Sequence, residues 1–265
     1  MNYYYRIDLA YDGGNYYGFQ KQIKHITIQA VIDKALKKIF QQEIKTVSSG
    51  RTDSKVHAYA QVISFKANVA VPAAKLKFAL NNLMPADIVI LAAAEVSEEF
   101  HARYSAVAKC YTYKIAHLAE QSPFRSRYVW QIPQELDLTA MQVAAQYIIG
   151  EHDFSSFRSA GSVQSDPVRK MYAIDWDEQP EELVFKIIGN GFLYHMVRNI
   201  VGALVQVGQR KFTVEHFQEI LDLKSRAHRG LTAPAQGLYL QQVFYSEEAV
   251  NAYIDKYFTK NSKKA

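Results

Sequence analysis

The stretch Ser49-Gly50-Arg51-Thr52-Asp53, followed by Val56-His57-Ala58, gathers a guanidinium, a carboxylate and an imidazole beside a glycine. Arg51 and Asp53 stand two apart, so an extended backbone turns both to one face, and Gly50 permits the backbone angles of a sharp approach. This composition reads as a catalytic loop. The same triplet also fits a surface turn in which Asp53 caps a short helix and Arg51 is solvated.

A second anomaly is Arg198. At helical spacing it shares a face with Tyr194, Val201, Gly202 and Val205, so a guanidinium lies on a stripe that otherwise looks buried. A buried charge needs an anion, because an unpaired one costs about 3–5 kcal/mol. Asp53 is the best candidate. A structural pair with Asp175 or Asp153, or a side chain that snorkels to water, satisfies the same rule. Tyr111 and Tyr113 are two apart and face one side of a strand; one suits general acid or base work and the other packing. His57, His101 and His195 lack ligand spacing, so no metal site is expected. No phosphate-cradling GxxxxGK[ST] occurs, and Gly13-Gly14 with Gly18 lacks the setting of a dinucleotide fingerprint. The expectation is chemistry without a cofactor.

The elements that must carry these groups follow from periodicity. Residues 3–11 read as a strand ending in the turn cluster Asp12-Gly13-Gly14-Asn15. Thr27 caps a helix whose apolar positions are Ile28, Val31, Ile32, Ala35, Ile39 and Phe40. Strands at 44–47 and 61–66 flank the Asp53 loop, and a helix at 72–82 leads to a strand at 88–96. The second half repeats the order: a strand at 106–116, a helix at 138–149, strands at 168–176 and 183–188, a helix at 192–207, and a last strand at 237–245. A helix at 214–221 intervenes. The fold class expected is α+β, with two split-βαβ (ferredoxin-like) units whose antiparallel or mixed sheets combine around a central cleft. The first domain spans 1–104 with the aspartate loop, and the second spans 105–265 with the tyrosine and arginine.

Composition bounds the function. With 265 residues, 49% hydrophobic and 22% charged, the chain reads as folded and globular, with disorder confined to 260–265. The formal charge of +5 suits a polyanion partner, and the 18 tyrosines, several beside Lys or Arg, suit stacking on unpaired bases. For most of those tyrosines, strand packing is the simpler reading. The single cysteine, Cys110, excludes an intramolecular disulfide and points to the reducing cytoplasm; a small buried strand residue is its default role. No signal peptide or membrane-spanning run is legible.

Five motifs tie these features together: Asp12-Gly13-Gly14-Asn15-Tyr16-Tyr17-Gly18-Phe19-Gln20, Gly50 through Ala58, Phe100-His101-Ala102-Arg103-Tyr104-Ser105-Ala106, Met196-Val197-Arg198-Asn199-Ile200-Val201-Gly202, and Gly237-Leu238-Tyr239-Leu240. In this order they resemble the TruA family of tRNA pseudouridine synthases over nearly the whole chain. The resemblance implies an isomerase that converts uridine to pseudouridine at positions 38 to 40 of the tRNA anticodon stem-loop. It makes Asp53 the catalytic aspartate, Tyr111 the active-site tyrosine and Arg198 the arginine paired with the aspartate. Arg51 would help displace the target base and hold RNA, His57, His101 and Arg103 would contact RNA, and Lys55, where the chain departs from the family, could supply a phosphate contact. It further implies a cytoplasmic homodimer with one tRNA across both subunits, and no cofactor. Two departures stand out: Ser54-Lys55 replaces the usual Ala-Gly, and Phe19 replaces a tryptophan. The alternatives are a non-catalytic RNA-binding or chaperone protein on the same scaffold, or a paralogue with a shifted RNA target. A carboxylate glycosidase lacks a clear second acid beside the loop.

Overall fold

The computed structural model describes residues 1–117, 120–161, 166–225, 227 and 230–258. The disorder expected at 260–265 lies outside the described residues. The first elements in chain order are β1 (Tyr3–Tyr11), α1 (Ile28–Phe40), β2 (Val47–Ser48), β3 (His57–Ala67), α2 (Ala73–Asn81) and β4 (Ile88–Val96). There follow β5 (Ala108–His117), β6 (Trp130–Ile132), α3 (Leu138–Gln146), β7 (Gly150–Asp153), β8 (Val168–Gln179) and β9 (Glu182–Gly189). Helices α4 (Met196–Gly208) and α5 (Val214–Asp222), strand β10 (Leu238–Phe244) and helix α6 (Glu247–Tyr257) complete the order. The class is α+β, as the sequence indicates.

These elements form two compact units. One holds Met1–Val107 and Tyr239–Ser246; the other holds Ala108–Leu238 and the segment from Glu247. The strand expected to close the second half therefore folds, from Tyr239, with the first unit. In that unit β1 lies between β4 and β3, antiparallel to both. One edge of β3 serves two partners: β2 antiparallel at Val47↔Ser64 and Ser48↔Ile63, and β10 parallel at Tyr239↔His57 and Leu240↔Ala58. The order β4-β1-β3-β2 is that of a split βαβ unit.

The alternation of β1 explains its placement. Tyr5, Ile7, Leu9 and Tyr11 are buried, while Tyr4, Arg6, Asp8 and Ala10 are half-buried. Against the buried face lies α1, started by Thr27, whose hydroxyl accepts from the Ala30 amide at 3.3 Å, and ended by Gln41 in the left-handed region. Its buried residues are Ile28, Ile32, Ala35, Leu36 and Phe40; Val31 and Ile39 flank them, and Leu36 was missing from the expected stripe. Tyr5, Phe40 and Phe65 meet with ring centroids 5.3–5.7 Å apart. Each such buried side chain contributes about 1.5–3 kcal/mol.

In the second unit β9 lies between β5 and β8, antiparallel to both; β7 borders β8, and β6 runs parallel to β5. Helix α4 is buried nearly all round, from Met196 to Gly208, and packs with α3 and α5. It begins four residues later than expected, because His195 adopts a left-handed φ of 61° and breaks the helical path. Conversely β3 begins four residues earlier than expected, because His57 and Ala58 pair with β10, a partner 182 residues away that local pattern cannot reveal. The short β6 and β7 and the mostly exposed α6 carry too little apolar periodicity to have been expected.

Candidate active site

The loop 49–56 joins β2 to β3 and is tied down along its length. At its start, buried Ser49 donates its amide to the Val62 carbonyl at 2.8 Å and its hydroxyl to Gln61 Oε1 at 2.7 Å. Gln61 Nε2 in turn donates to the Gly50 carbonyl at 3.0 Å. Thr52 bonds the Tyr11 hydroxyl at 2.7 Å, and its carbonyl accepts from the Phe19 amide at 3.0 Å. The Tyr16 carbonyl takes the Lys55 amide at 3.3 Å and the Ser54 hydroxyl at 3.2 Å, and the Val56 amide closes back on the Asp53 carbonyl at 3.2 Å. The segment 13–19 fits beneath only through its glycines. A Cβ on Gly13 would lie 2.0 Å from the Val56 carbonyl oxygen, and Gly18 holds a φ of 86° with its Cβ position 2.8 Å from the Thr52 carbonyl oxygen. The resulting platform leaves Asp53 half-buried, with Arg51 and Lys55 exposed on either side.

At the foot of the loop His57, expected to contact RNA, is only 2% exposed. Its Nδ1 lies 3.0 Å from an Asp12 carboxylate oxygen and 3.1 Å from the Gly13 amide nitrogen. Its ring stacks on Tyr239 at 4.7 Å. Those partners tie the loop to the turn after β1 and to β10. His101 and Arg103 sit on a separate turn, 100–105, whose Ala102 amide donates to Ser64 Oγ on β3 at 3.0 Å. There His101 Nδ1 accepts from the amides of Arg103 and Tyr104, while the Arg103 side chain is exposed.

The second unit holds the other two expected groups. Tyr113 is fully buried and its hydroxyl donates to the Pro234 carbonyl at 2.7 Å. Burial holds this phenol well above its ordinary range, opposed by the charge of Arg198. Tyr113 is thus a packing group, and Tyr111 lies on the same face of β5. Tyr111 is 8% exposed and meets Phe192 edge-on at 5.0 Å. Arg198 is half-buried and locked to Ala233: its Nε donates to the Ala233 carbonyl at 2.8 Å, and the Ala233 amide donates to the Arg198 carbonyl at 3.0 Å. Of the alternative anions, Asp175 faces Lys186 across β8 and β9 at 3.9 Å, and Asp153 accepts from the Ser155 amide at 2.8 Å.

Residues 231–236, which lead into the Gly237 motif, are the part of this neighbourhood that the sequence did not indicate. Beside Arg198, buried Asn199 donates to the Phe157 carbonyl at 2.6 Å and accepts from the Thr232 hydroxyl at 2.7 Å. Leu231 donates its amide to Gln206 at 2.9 Å, and Gly237 lies so close to Tyr113 that a Cβ would meet the phenol ring at 2.6 Å. The segment is a strap across α4 and β5. Its signal in the sequence was an asparagine inside an otherwise apolar helix face, a polar group that must find partners. Gln61 and Asp12 gave comparable signals in the first unit. Among the described residues, no group of three or more His, Cys, Asp or Glu side chains could hold a metal ion, and no helix is long and apolar enough to cross a membrane.

Comparison with known proteins places this geometry in a family. A model described as tRNA pseudouridine synthase matches residues 9–105 and 144–246, which include the aspartate loop, the 100–105 turn, α4 and the strap. The tRNA pseudouridine synthase A of Thermoanaerobacter sp. (strain X514) is 43% identical over 239 residues, covering 90% of this chain and 98% of the relative. The proteins of the same name from Bacillus pumilus (strain SAFR-032) and Lacticaseibacillus casei (strain BL23) are each 44% identical, covering 89% and 91% of this chain and 97% and 99% of theirs. A chain of a Cbf5-Nop10-Gar1 complex aligns over 94% of this chain and 56% of its own, at 14% identity and a TM-score of 0.39, too slight a likeness to bear on the site. The matched motifs and the extent of identity agree: the chain belongs to the tRNA pseudouridine synthase family and is an isomerase.

Proposed function

We propose that this isomerase converts uridine to pseudouridine at positions 38, 39 and 40 in the anticodon stem-loop of tRNA, with Asp53 as the reacting carboxylate. The observation that carries the assignment is the loop itself: a half-buried acid on a backbone pinned on both sides, flanked by two exposed cations. The reaction breaks the bond from N1 to ribose C1′, turns the uracil and joins C5 to C1′, with no net loss or gain of atoms. A carboxylate serves either by attacking C1′ or by removing a ribose proton. Leaving the helical stack costs the target a few kcal/mol, which gives Arg51 its part in displacing the base. Lys55 and Arg103 meet phosphates. Tyr111 stacks on the detached uracil and takes the C5 proton, and Arg198 keeps Asp53 ionised and oriented, since an opposite charge favours the charged form. The motif resemblance carries two further expectations, a homodimer and a cytoplasmic setting.

The test is to incubate the purified protein with unmodified tRNA, without added metal or nucleotide, and to map pseudouridine base by base beside an Asp53→Ala control. Product confined to positions 38–40 in the wild type and absent from the folded variant is expected. Turnover by Asp53→Ala comparable to wild type removes the carboxylate assignment, and product elsewhere in the RNA removes the assigned positions.

A further inference from the structure

The turn 100–105 of the first unit is built more firmly than its position on the surface requires. The His101 amide donates to Ser105 Oγ at 3.0 Å and the Ser105 amide returns to the His101 carbonyl at 2.9 Å. Ala102 is held on both sides, by Ser64 Oγ and by the Tyr245 hydroxyl, which donates to its carbonyl at 2.9 Å. Tyr245 is itself packed between Phe100, at 5.1 Å, and the Arg6 guanidinium, at 4.6 Å. Two backbone amides donate to His101 Nδ1, so the imidazole is fixed in orientation. What this scaffold displays is one ring. Tyr104 is 77% exposed, stacked on His101 at 4.3 Å and 25°, with the Arg103 guanidinium 5.6 Å from its centroid.

We propose that Tyr104 is a stacking platform for an unpaired nucleobase of the RNA substrate, in the stem-loop whose uridine is presented to Asp53. The proposal rests on RNA being the substrate. An aromatic face that is open to water yet held by a fixed turn has little ordering left to lose on binding. Every base offers a π-face, and a neighbouring cation answers the phosphate that accompanies it. Location agrees with the assignment. Ser64, which anchors the turn, pairs with Val47, two residues before Ser49 opens the loop that carries Asp53. Turn and loop are thus both anchored on β3 within the first unit. Extracting the target uridine unstacks the loop around it, and Tyr104 offers an unstacked base a new face.

The experiment is a fluorescence-anisotropy titration of a labelled anticodon stem-loop RNA across a range of salt concentrations, with pseudouridine formation followed in parallel. Tyr104→Ala is expected to weaken binding on the order of tenfold or more at every salt concentration without changing the slope of log Kd against log salt, the mark of a lost stack rather than a lost charge. Tyr104→Phe keeps the π-face and stays within about twofold of wild type. Arg103→Ala lowers the salt slope by about one phosphate. Phe78→Ala, on α2 and 71% exposed, serves as a control for exposure alone and leaves binding unchanged. Tyr104→Ala within twofold of wild type, or Tyr104→Phe as weak as Tyr104→Ala, overturns the platform while the wild type still isomerises its RNA. A wild type that neither binds nor isomerises the RNA overturns the substrate reading instead.

Discussion

Lys55 occupies a backbone conformation that favours glycine, with a φ of 67°. A side chain there costs about 1–2 kcal/mol against the ordinary region, and the bonds from Ser54 and Lys55 to the Tyr16 carbonyl hold it in place. Thus a lysine at this position does not free the loop from its shape; it loads the shape with strain. Lys55→Gly is expected to raise stability by about 0.5–1 kcal/mol, the relief of strain less the added freedom of glycine in the unfolded chain. Urea unfolding measures it, and an unchanged or lower midpoint contradicts the account. Arg51 and Asp53 were legible in the sequence because their chemistry is stated by residue type and spacing. The structural part of His57 was not, because an imidazole becomes a buried support only through Asp12 and Tyr239, which lie far from it along the chain.

Helix α4 and the strap 231–237 act as one positioning element for Arg198. The contact is set by Gly202, where a Cβ would lie 2.0 Å from the Leu231 carbonyl oxygen. Gly202→Ala must therefore push the strap away, at a cost of about 1–3 kcal/mol, and carry Ala233 off the guanidinium it holds. Gly208→Ala is the useful comparison. Its Cβ meets the flexible Met141 side chain at 2.5 Å, at the other end of the helix from Arg198. Both variants are expected to lower the melting temperature, but only Gly202→Ala should lower turnover beyond what its loss of folded protein explains. Equal turnover per folded molecule in the two variants rules out the positioning role. The helix itself was legible from its apolar spacing; the strap was not, because irregular backbone has no period and is defined by the carbonyls it gives to Arg198 and Tyr113.

Over the whole molecule, buried acids with raised pKa values set the alkaline limit of stability. Burial pushes the Tyr11 phenol from 10.0 up to about 12 and the Cys110 thiol from 9.0 up to about 12; Tyr113 shifts the same way. A raised folded-state value means that the unfolded chain releases the proton first. Their contribution is thus intact below about pH 9 and is lost as pH rises through 9–10 toward 12. Unfolding free energies measured between pH 7 and 11 should stay level and then fall, with a shallower fall in Tyr11→Phe. A profile that rises above pH 10 contradicts these burials.

The sequence by itself determined the class of fold, most long elements, the family and the candidate acid, because those follow from period, residue type and motif order. The tertiary structure alone decided that the last strand returns to β3 in the first unit, that His57 is buried against Asp12 and Tyr239, that Tyr113 packs, and that the turn 100–105 displays Tyr104. Each of these depends on which distant groups share a hydrogen bond or exclude water. Local sequence sets what a residue is able to do, while burial and long-range pairing select which of those capacities remains.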